Sequence, residues 1–280
     1  VEGTAHSLPD LYSVKSTLYN HKWKKYPPFP KDITELIIGE NFTKTKEGAR
    51  YLLSDLAISA NERLIIYSSD QLLKILAQCK IWFCEGTFDS VPNLFTQLYT
   101  IIGSYKGQSF PCVYALLNNK KESSYKAMIN ELKNKSLDLK IDLKPSLIIL
   151  DFEKAAINSF QYHFPSATIQ GCFFHYSQAL WRKFIDLGFK SYYENNNVKI
   201  WFKSFLALPF LPIHEVEDAF IYLMDNNPQV NQVNWTDFLD YVCNTWVKVF
   251  MKSLFGIYGT ITMLEQIIFQ KGNDIYMFFV

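Results

Sequence analysis

Three hydrophobic runs in this chain each lead into a short polar group, and they constrain the fold more than any other feature. The first, 82–88, carries Glu85 within it; the second, 147–150, ends at Asp151; the third leads into 171–175. Apolar runs of this length with polar ends are typical of strands buried inside a sheet. The sequence therefore predicts two acidic side chains at the ends of two buried strands.

The other elements place these runs in an α/β fold. The β-rich and helix-like segments, in chain order, are strands 64–67, 81–87, 96–105, 109–117, 147–150 and 167–174, and helices 70–78, 122–137, 153–162 and 176–187. A turn at 105–108 joins two of the strands as a hairpin. Hairpin strands first and parallel strands later predict an RNase H-like mixed sheet flanked by helices, with a C-terminal helical insertion.

This pattern divides the chain into four parts. Residues 1–60 form a poorly defined lead-in, 61–190 the RNase H-like core, 191–250 the helical insertion, and 251–280 a tail of different character. The insertion is rich in Trp, Phe and Leu, and its tryptophans are expected in a core.

Composition limits the classes of partner. The net charge is +1, so any contact with nucleic acid has to come from local basic segments, and 21–25 and 120–135 are the candidates. A solvated helix face explains the second segment equally well.

Five cysteines without a C-x-x-C pair favour a reducing compartment over a disulfide framework. No apolar span reaches about 18 residues, so we expect a soluble intracellular protein and no membrane partner.

The runs and their neighbours resemble the core of the Mutator-like (MULE) transposases, over about 64–246. The matching residues are 82–88 (Trp-Phe-Cys-Glu-Gly-Thr-Phe), Pro92, Phe95, 97–100 (Gln-Leu-Tyr-Thr), Gly103, Pro111, Tyr114, Ala115, Leu116, Lys120, Asp151, Phe152, Glu153, Ala155, Ala156, Gly171, Cys172, His175, Gln178, Arg182 and Lys183. The resemblance implies a DDE-type DNA transposase that cuts and joins DNA at terminal inverted repeats with Mg²⁺ or Mn²⁺. It also implies a nuclear protein.

Carried over residue by residue, the family's first two catalytic acids fall on Glu85 and Asp151. The resemblance implies that both are metal ligands. Two-metal phosphodiester chemistry needs carboxylates that hold two ions roughly 3.5–4 Å apart, and Mg²⁺ prefers oxygen ligands. The family has Asp where this chain has Glu85. The extra methylene displaces the oxygens by about 1 Å, which can cost on the order of 10²-fold in rate. From the residues alone, an acid after a strand is more often a helix cap.

The family's Cys-x-x-His element falls on Cys172 and His175. Two ligands do not make a closed zinc site, so zinc is not expected. The interpretation that we favour is a cysteine at a strand end within the core and a histidine that packs or caps.

The third family acid is missing from its expected place. The family continues with Trp-Asn and then Arg-Thr-Asn-Asn-x-x-Glu-Gly, whereas 255–280 shows no such motif, although Glu265 is present. If the codons of 254–272 are regrouped one frame away, with free choice of the wobble bases, that motif can be recovered at the expected spacing. The hypothesis is a frameshift between about 247 and 254, which would make the tail out-of-frame sequence.

Three functions remain open at this stage. The favoured interpretation is a transposase core that has lost catalysis; the alternative is a domesticated, non-catalytic DNA- or chromatin-binding protein. An active nuclease using Glu85, Asp151 and Glu265 ranks third. The sequence does not decide whether the chain is an enzyme, which DNA it would recognise, or its oligomeric state.

Overall fold

The computed structural model describes residues 11–23, 30–89, 91–230 and 233–251. The chain divides into two compact units, Val1–Ile38 and Gly39–Val280. In the first unit, Leu11–Trp23 forms helix α1, which the sequence did not predict because its apolar residues do not gather into one stripe. The predicted out-of-frame tail, apart from Met251, and Glu265 within it lie outside the described residues.

The second unit is built on a seven-stranded mixed sheet. Its strands are β1 (Leu52–Ser59), β2 (Glu62–Tyr67), β3 (Ile81–Thr87), β4 (Gln97–Tyr105), β5 (Gln108–Leu117), β6 (Leu147–Leu150) and β7 (Thr168–Gly171). Their order across the sheet is β1-β2-β5-β4-β3-β6-β7. The pairs β3–β6 and β6–β7 are parallel and the other pairs are antiparallel. The predicted RNase H-like mixed sheet is confirmed.

Strand β1 lies inside the segment for which no element was predicted. Among the described residues it pairs with β2 alone, at one edge of the sheet, and Leu53 is its one buried residue. An edge strand with one buried position carries too little alternation to be recognised from the sequence. The neighbouring β2, by contrast, buries the apolar run Leu64–Ile66 in its centre and was predicted.

Three helices cover one face of the sheet: α2 (Asp70–Gln78), α3 (Glu122–Asp138) and α4 (Lys154–His163). Helix α2 begins where it was expected, because the Ser69 hydroxyl accepts a hydrogen bond from the Leu72 amide at 3.2 Å. The buried residues shared by these helices and the sheet include Leu73, Leu76, Trp82, Cys84, Tyr99, Tyr125, Met128, Ile148, Leu150 and Phe160. Within the described part of the chain, no helix combines the length and apolarity needed to cross a bilayer.

A second, aromatic cluster is formed by the helices that follow β7. They are α5 (Phe173–Asp186), α6 (Asn196–Ala207), α7 (Val216–Asp225), α8 (Thr236–Tyr241) and a π-helical segment, Val242–Met251. Phe184 lies at its centre, with ring centroids 4.8 Å from Phe202 and 5.5 Å from Phe238. Trp201 and Trp246 are buried in this cluster, as the sequence predicts, and Trp181 is partly buried against it.

Candidate active site

The two candidate acids follow from the register of the central parallel strands. Cys84 of β3 lies opposite Leu150 of β6. One residue further along each strand comes Glu85 on β3 and Asp151 directly after β6. Carboxyl ends of adjacent parallel strands share one edge of a sheet, so this register gives the two acids neighbouring positions.

Asp151 occupies a largely desolvated position. Burial raises the pKa of its carboxyl group, while the Glu153 amide and the positive charge of Lys120 act in the opposite direction. The amide contact to Oδ1 is long, at 3.4 Å. A strand-end carboxylate whose charge is disfavoured by burial is the kind of group that functional sites contain.

Glu85 faces the first turn of α5. Its Oε1 lies 3.8 Å from Nε2 of His175. Burial lowers the pKa of His175, the Glu85 charge opposes this effect, and Arg182 adds to it. The other ring nitrogen of His175, Nδ1, is buried without a hydrogen-bond partner. The Cys-x-x-His histidine therefore neighbours the first acid.

The predicted strand 167–174 was wrong at its end, and this changes the setting of Cys172. Strand β7 stops at Gly171, Cys172 is the N-cap residue of α5, and the helix begins at Phe173. The run Gly-Cys-Phe-Phe favours β structure locally. The Cys172 amide still donates a sheet-type hydrogen bond to the Leu150 carbonyl at 2.8 Å, but the Cys172 carbonyl accepts from the Tyr176 amide at 3.1 Å, which begins α5. Burial raises the pKa of the Cys172 thiol to about 11, although the amides of His175 and Phe174 act against it.

Glu153 belongs to this site although the sequence assigned it to the first helical turn. It is the N-cap residue of α4, but its side chain makes no cap hydrogen bond. Instead its Oε1 accepts a hydrogen bond from Tyr125 Oη at 2.9 Å, and Oε2 lies 3.8 Å from Lys120 Nζ. The same ammonium group lies 3.7 Å from the ring centroid of Phe88. Tyr125 and Lys120 are distant from Glu153 in the sequence. No local sequence pattern therefore marks Glu153 as a residue of this site.

The basic segment 120–135 is largely committed to partners within the protein. Lysines 120, 121, 126 and 135 each have a carboxylate oxygen within 3.9 Å. Lys133 donates to the His163 carbonyl at 2.9 Å. These contacts favour the solvated-face interpretation of this segment. Of the other basic segment, 24–25 lies outside the described residues.

The resemblance implies bound divalent ions, and the side chains of the site show how far they could hold such ions. Glu85 and Asp151 supply hard oxygen ligands of the right kind. Among the described residues, however, no group of three or more His, Cys, Asp or Glu side chains could hold a metal ion. This part of the chain therefore does not complete a paired-metal centre.

A comparison with protein-family models finds a match in the middle of the chain. Residues 81–179 match the family model of the MULE transposase domain, which runs from β3 into α5 and includes both candidate acids and the Cys-x-x-His element. No curated protein matches the chain. The match supports a MULE transposase domain over residues 81–179 and, with it, a transposase-like function.

Proposed function

We propose that this chain is the core of a DDE-type DNA transposase in which Glu85 and Asp151 are the surviving metal ligands and catalysis is lost. The observation that carries the proposal is the register of β3 and β6. It gives the two acids neighbouring positions at the carboxyl ends of these strands, inside the matched segment. The ancestral reaction is metal-dependent cleavage and transfer of DNA strands at terminal inverted repeats, in the nucleus.

Two observations support the loss of catalysis. Glu85 stands where the family has Asp, and its longer side chain reaches towards His175. No third ligand joins Glu85 and Asp151 in the described residues, and the family's third-acid motif is not in the sequence after Met251. A bound Mg²⁺ or Mn²⁺ ion would activate the attacking oxygen and stabilise the leaving one. With two carboxylates, one of them displaced, the chain would hold such an ion weakly and in the wrong geometry.

The alternative is a domesticated DNA- or chromatin-binding protein that keeps the fold as a scaffold. The two hydrophobic clusters favour it, since a buried core persists beside a site with two candidate ligands. This alternative and the transposase core share the fold and differ in whether DNA binding survives.

Mn²⁺ binding and DNA cleavage test the proposal together. We expect one weak Mn²⁺ site by titration calorimetry or electron paramagnetic resonance, no binding in Asp151→Asn, and tighter binding in Glu85→Asp. Asp138→Asn is the matched control, because Asp138 is an exposed acid at the end of α3. Terminal-repeat DNA should stay uncut in Mg²⁺ or Mn²⁺.

The outcomes separate the parts of the proposal. Cleavage by the unmodified chain would disprove the loss of catalysis. Equal Mn²⁺ binding by Asp151→Asn and the control would remove Asp151 as a ligand. Specific binding of DNA without a Mn²⁺ requirement would favour the scaffold alternative.

A further inference from the structure

We propose that Tyr125 and Gln97 are positioning residues that hold the loop 151–153, and with it the Asp151 carboxylate, against the central strands. The inference rests on the proposed function only in taking Asp151 as a site residue. Its evidence is a buried chain of hydrogen bonds that joins three elements otherwise distant in sequence.

The chain of hydrogen bonds begins on β4 and ends on the loop after β6. Gln97 Nε2 lies 2.7 Å from Tyr125 Oη, and Tyr125 Oη donates to Glu153 Oε1 at 2.9 Å. Gln97 and Tyr125 are fully buried. A hydrogen bond from a buried hydroxyl to a carboxylate is stronger than one between neutral groups, and its loss leaves a polar group without a partner.

Glu153 passes this restraint to Asp151. The two residues are separated by one position, and the Glu153 amide donates to Asp151 Oδ1 at 3.4 Å. Because the Glu153 side chain does not cap α4, Tyr125 and Lys120 are the contacts that fix it. The ion pair with Lys120 is long and half exposed, so the Tyr125 hydrogen bond is the stronger restraint.

The same glutamine also contacts the strand of the first acid. A Cβ atom at Gly86 would lie 2.6 Å from Gln97 Oε1, so the glutamine occupies the space that a side chain at this position would need. Gly86 directly follows Glu85. Gln97 therefore packs against the residue that follows one candidate acid, and its hydrogen bond to Tyr125 leads to the loop of the other.

Tyr99 provides a matched comparison for Tyr125. Both tyrosines are buried, and their rings pack edge to face at 5.2 Å. The Tyr99 hydroxyl is buried without a hydrogen-bond partner, whereas the Tyr125 hydroxyl is bonded on both sides. Tyr99→Phe and Tyr125→Phe thus each remove one buried hydroxyl, but only the second breaks the hydrogen-bond chain.

Amide hydrogen exchange of the metal-free protein tests the inference. The reporter is the Ile157 amide, which donates to the Glu153 carbonyl at 3.0 Å. Tyr125→Phe should accelerate its exchange about tenfold, because a hydrogen bond to a charged group contributes roughly this factor or more to a local equilibrium. Tyr99→Phe should leave it unchanged, and the amides of β4 and β5 should not respond to either variant.

Variants at Glu153 sharpen the test. Glu153→Gln keeps an oxygen acceptor for Tyr125 and should retain slow exchange at Ile157, whereas Glu153→Leu should reproduce the effect of Tyr125→Phe. Equal acceleration by Tyr99→Phe and Tyr125→Phe, or a uniform increase over β4 and β5, would overturn the inference. Because exchange is measured without metal, a failure of Mn²⁺ binding would sink the proposed function and leave this inference standing.

Discussion

Gly171→Ala offers the sharpest test of how the loop 151–153 is packed. A Cβ atom at position 171 would lie 2.3 Å from Cε1 and 2.6 Å from Cζ of Phe152. The ring has little room to retreat, because it packs edge to face on Trp246 at 4.7 Å and is partly buried in both hydrophobic clusters. The added methyl group must therefore move Phe152, the residue between Asp151 and Glu153.

The cost follows from this overlap. Overpacking a filled core by one methyl group destabilises by about 1–3 kcal/mol, and two contacts below 3.0 Å put this position at the upper end. We expect a loss of about 3 kcal/mol in the free energy of unfolding. For a domain of this size that loss lowers the melting temperature by roughly 6–12 °C.

Urea unfolding followed by circular dichroism measures the change. Gly39→Ala is the matched control, because Gly39 has φ −63° and its added Cβ would meet nothing closer than 3.8 Å. Its effect should lie between neutral and a gain of about 1 kcal/mol. Adding Phe152→Leu to Gly171→Ala should recover at least about 1 kcal/mol relative to the sum of the single changes. Additive effects, or a Gly171→Ala variant as stable as Gly39→Ala, would refute the packing argument.

Two further predictions concern buried ionisable groups. Burial raises the pKa of Asp151 above its unfolded-state value of 3.8, so the charged carboxylate destabilises the folded protein at pH values above 3.8. Asp151→Asn should therefore stabilise the protein at pH 7, and this gain should disappear below about pH 3.8. No gain at pH 7 in urea titrations would contradict the desolvated setting of this carboxylate. Burial raises the pKa of Cys112 to about 12 and that of Cys172 to about 11, so both thiols should resist iodoacetamide at pH 8 in the folded protein and react in urea. Equal labelling rates by mass spectrometry in the two states would refute this.

Much of the central sheet could be predicted because its strands are apolar enough to be recognised one at a time. Strand β6 is a run of four apolar residues, and the turn between β4 and β5 contains Lys106 and Gly107 with positive φ, as a tight hairpin requires. Helix α3 shows its buried face as Tyr125, Met128, Ile129 and Leu132, at the spacing of a helical stripe.

What the sequence did not reveal depends on contacts between distant segments. The end of β7 is one case: the Phe152 ring lies against Gly171 and α5 begins at Phe173, although Phe173 and Phe174 favour β structure locally. Glu153 likewise takes its partner from α3. The roles of Glu85 and Asp151 as metal ligands, and the origin of the tail, stay predictions.

The parallel pairing of β3 with β6 has a consequence for how the site comes into being. The β4–β5 hairpin and α3 lie between these two strands in the sequence, so the pairing joins segments that are far apart along the chain. A ribosome-bound chain that has not yet released residue 150 can fold the hairpin, but it has no second acid beside the first. The carboxylate pair therefore cannot form until residue 151 has left the ribosome.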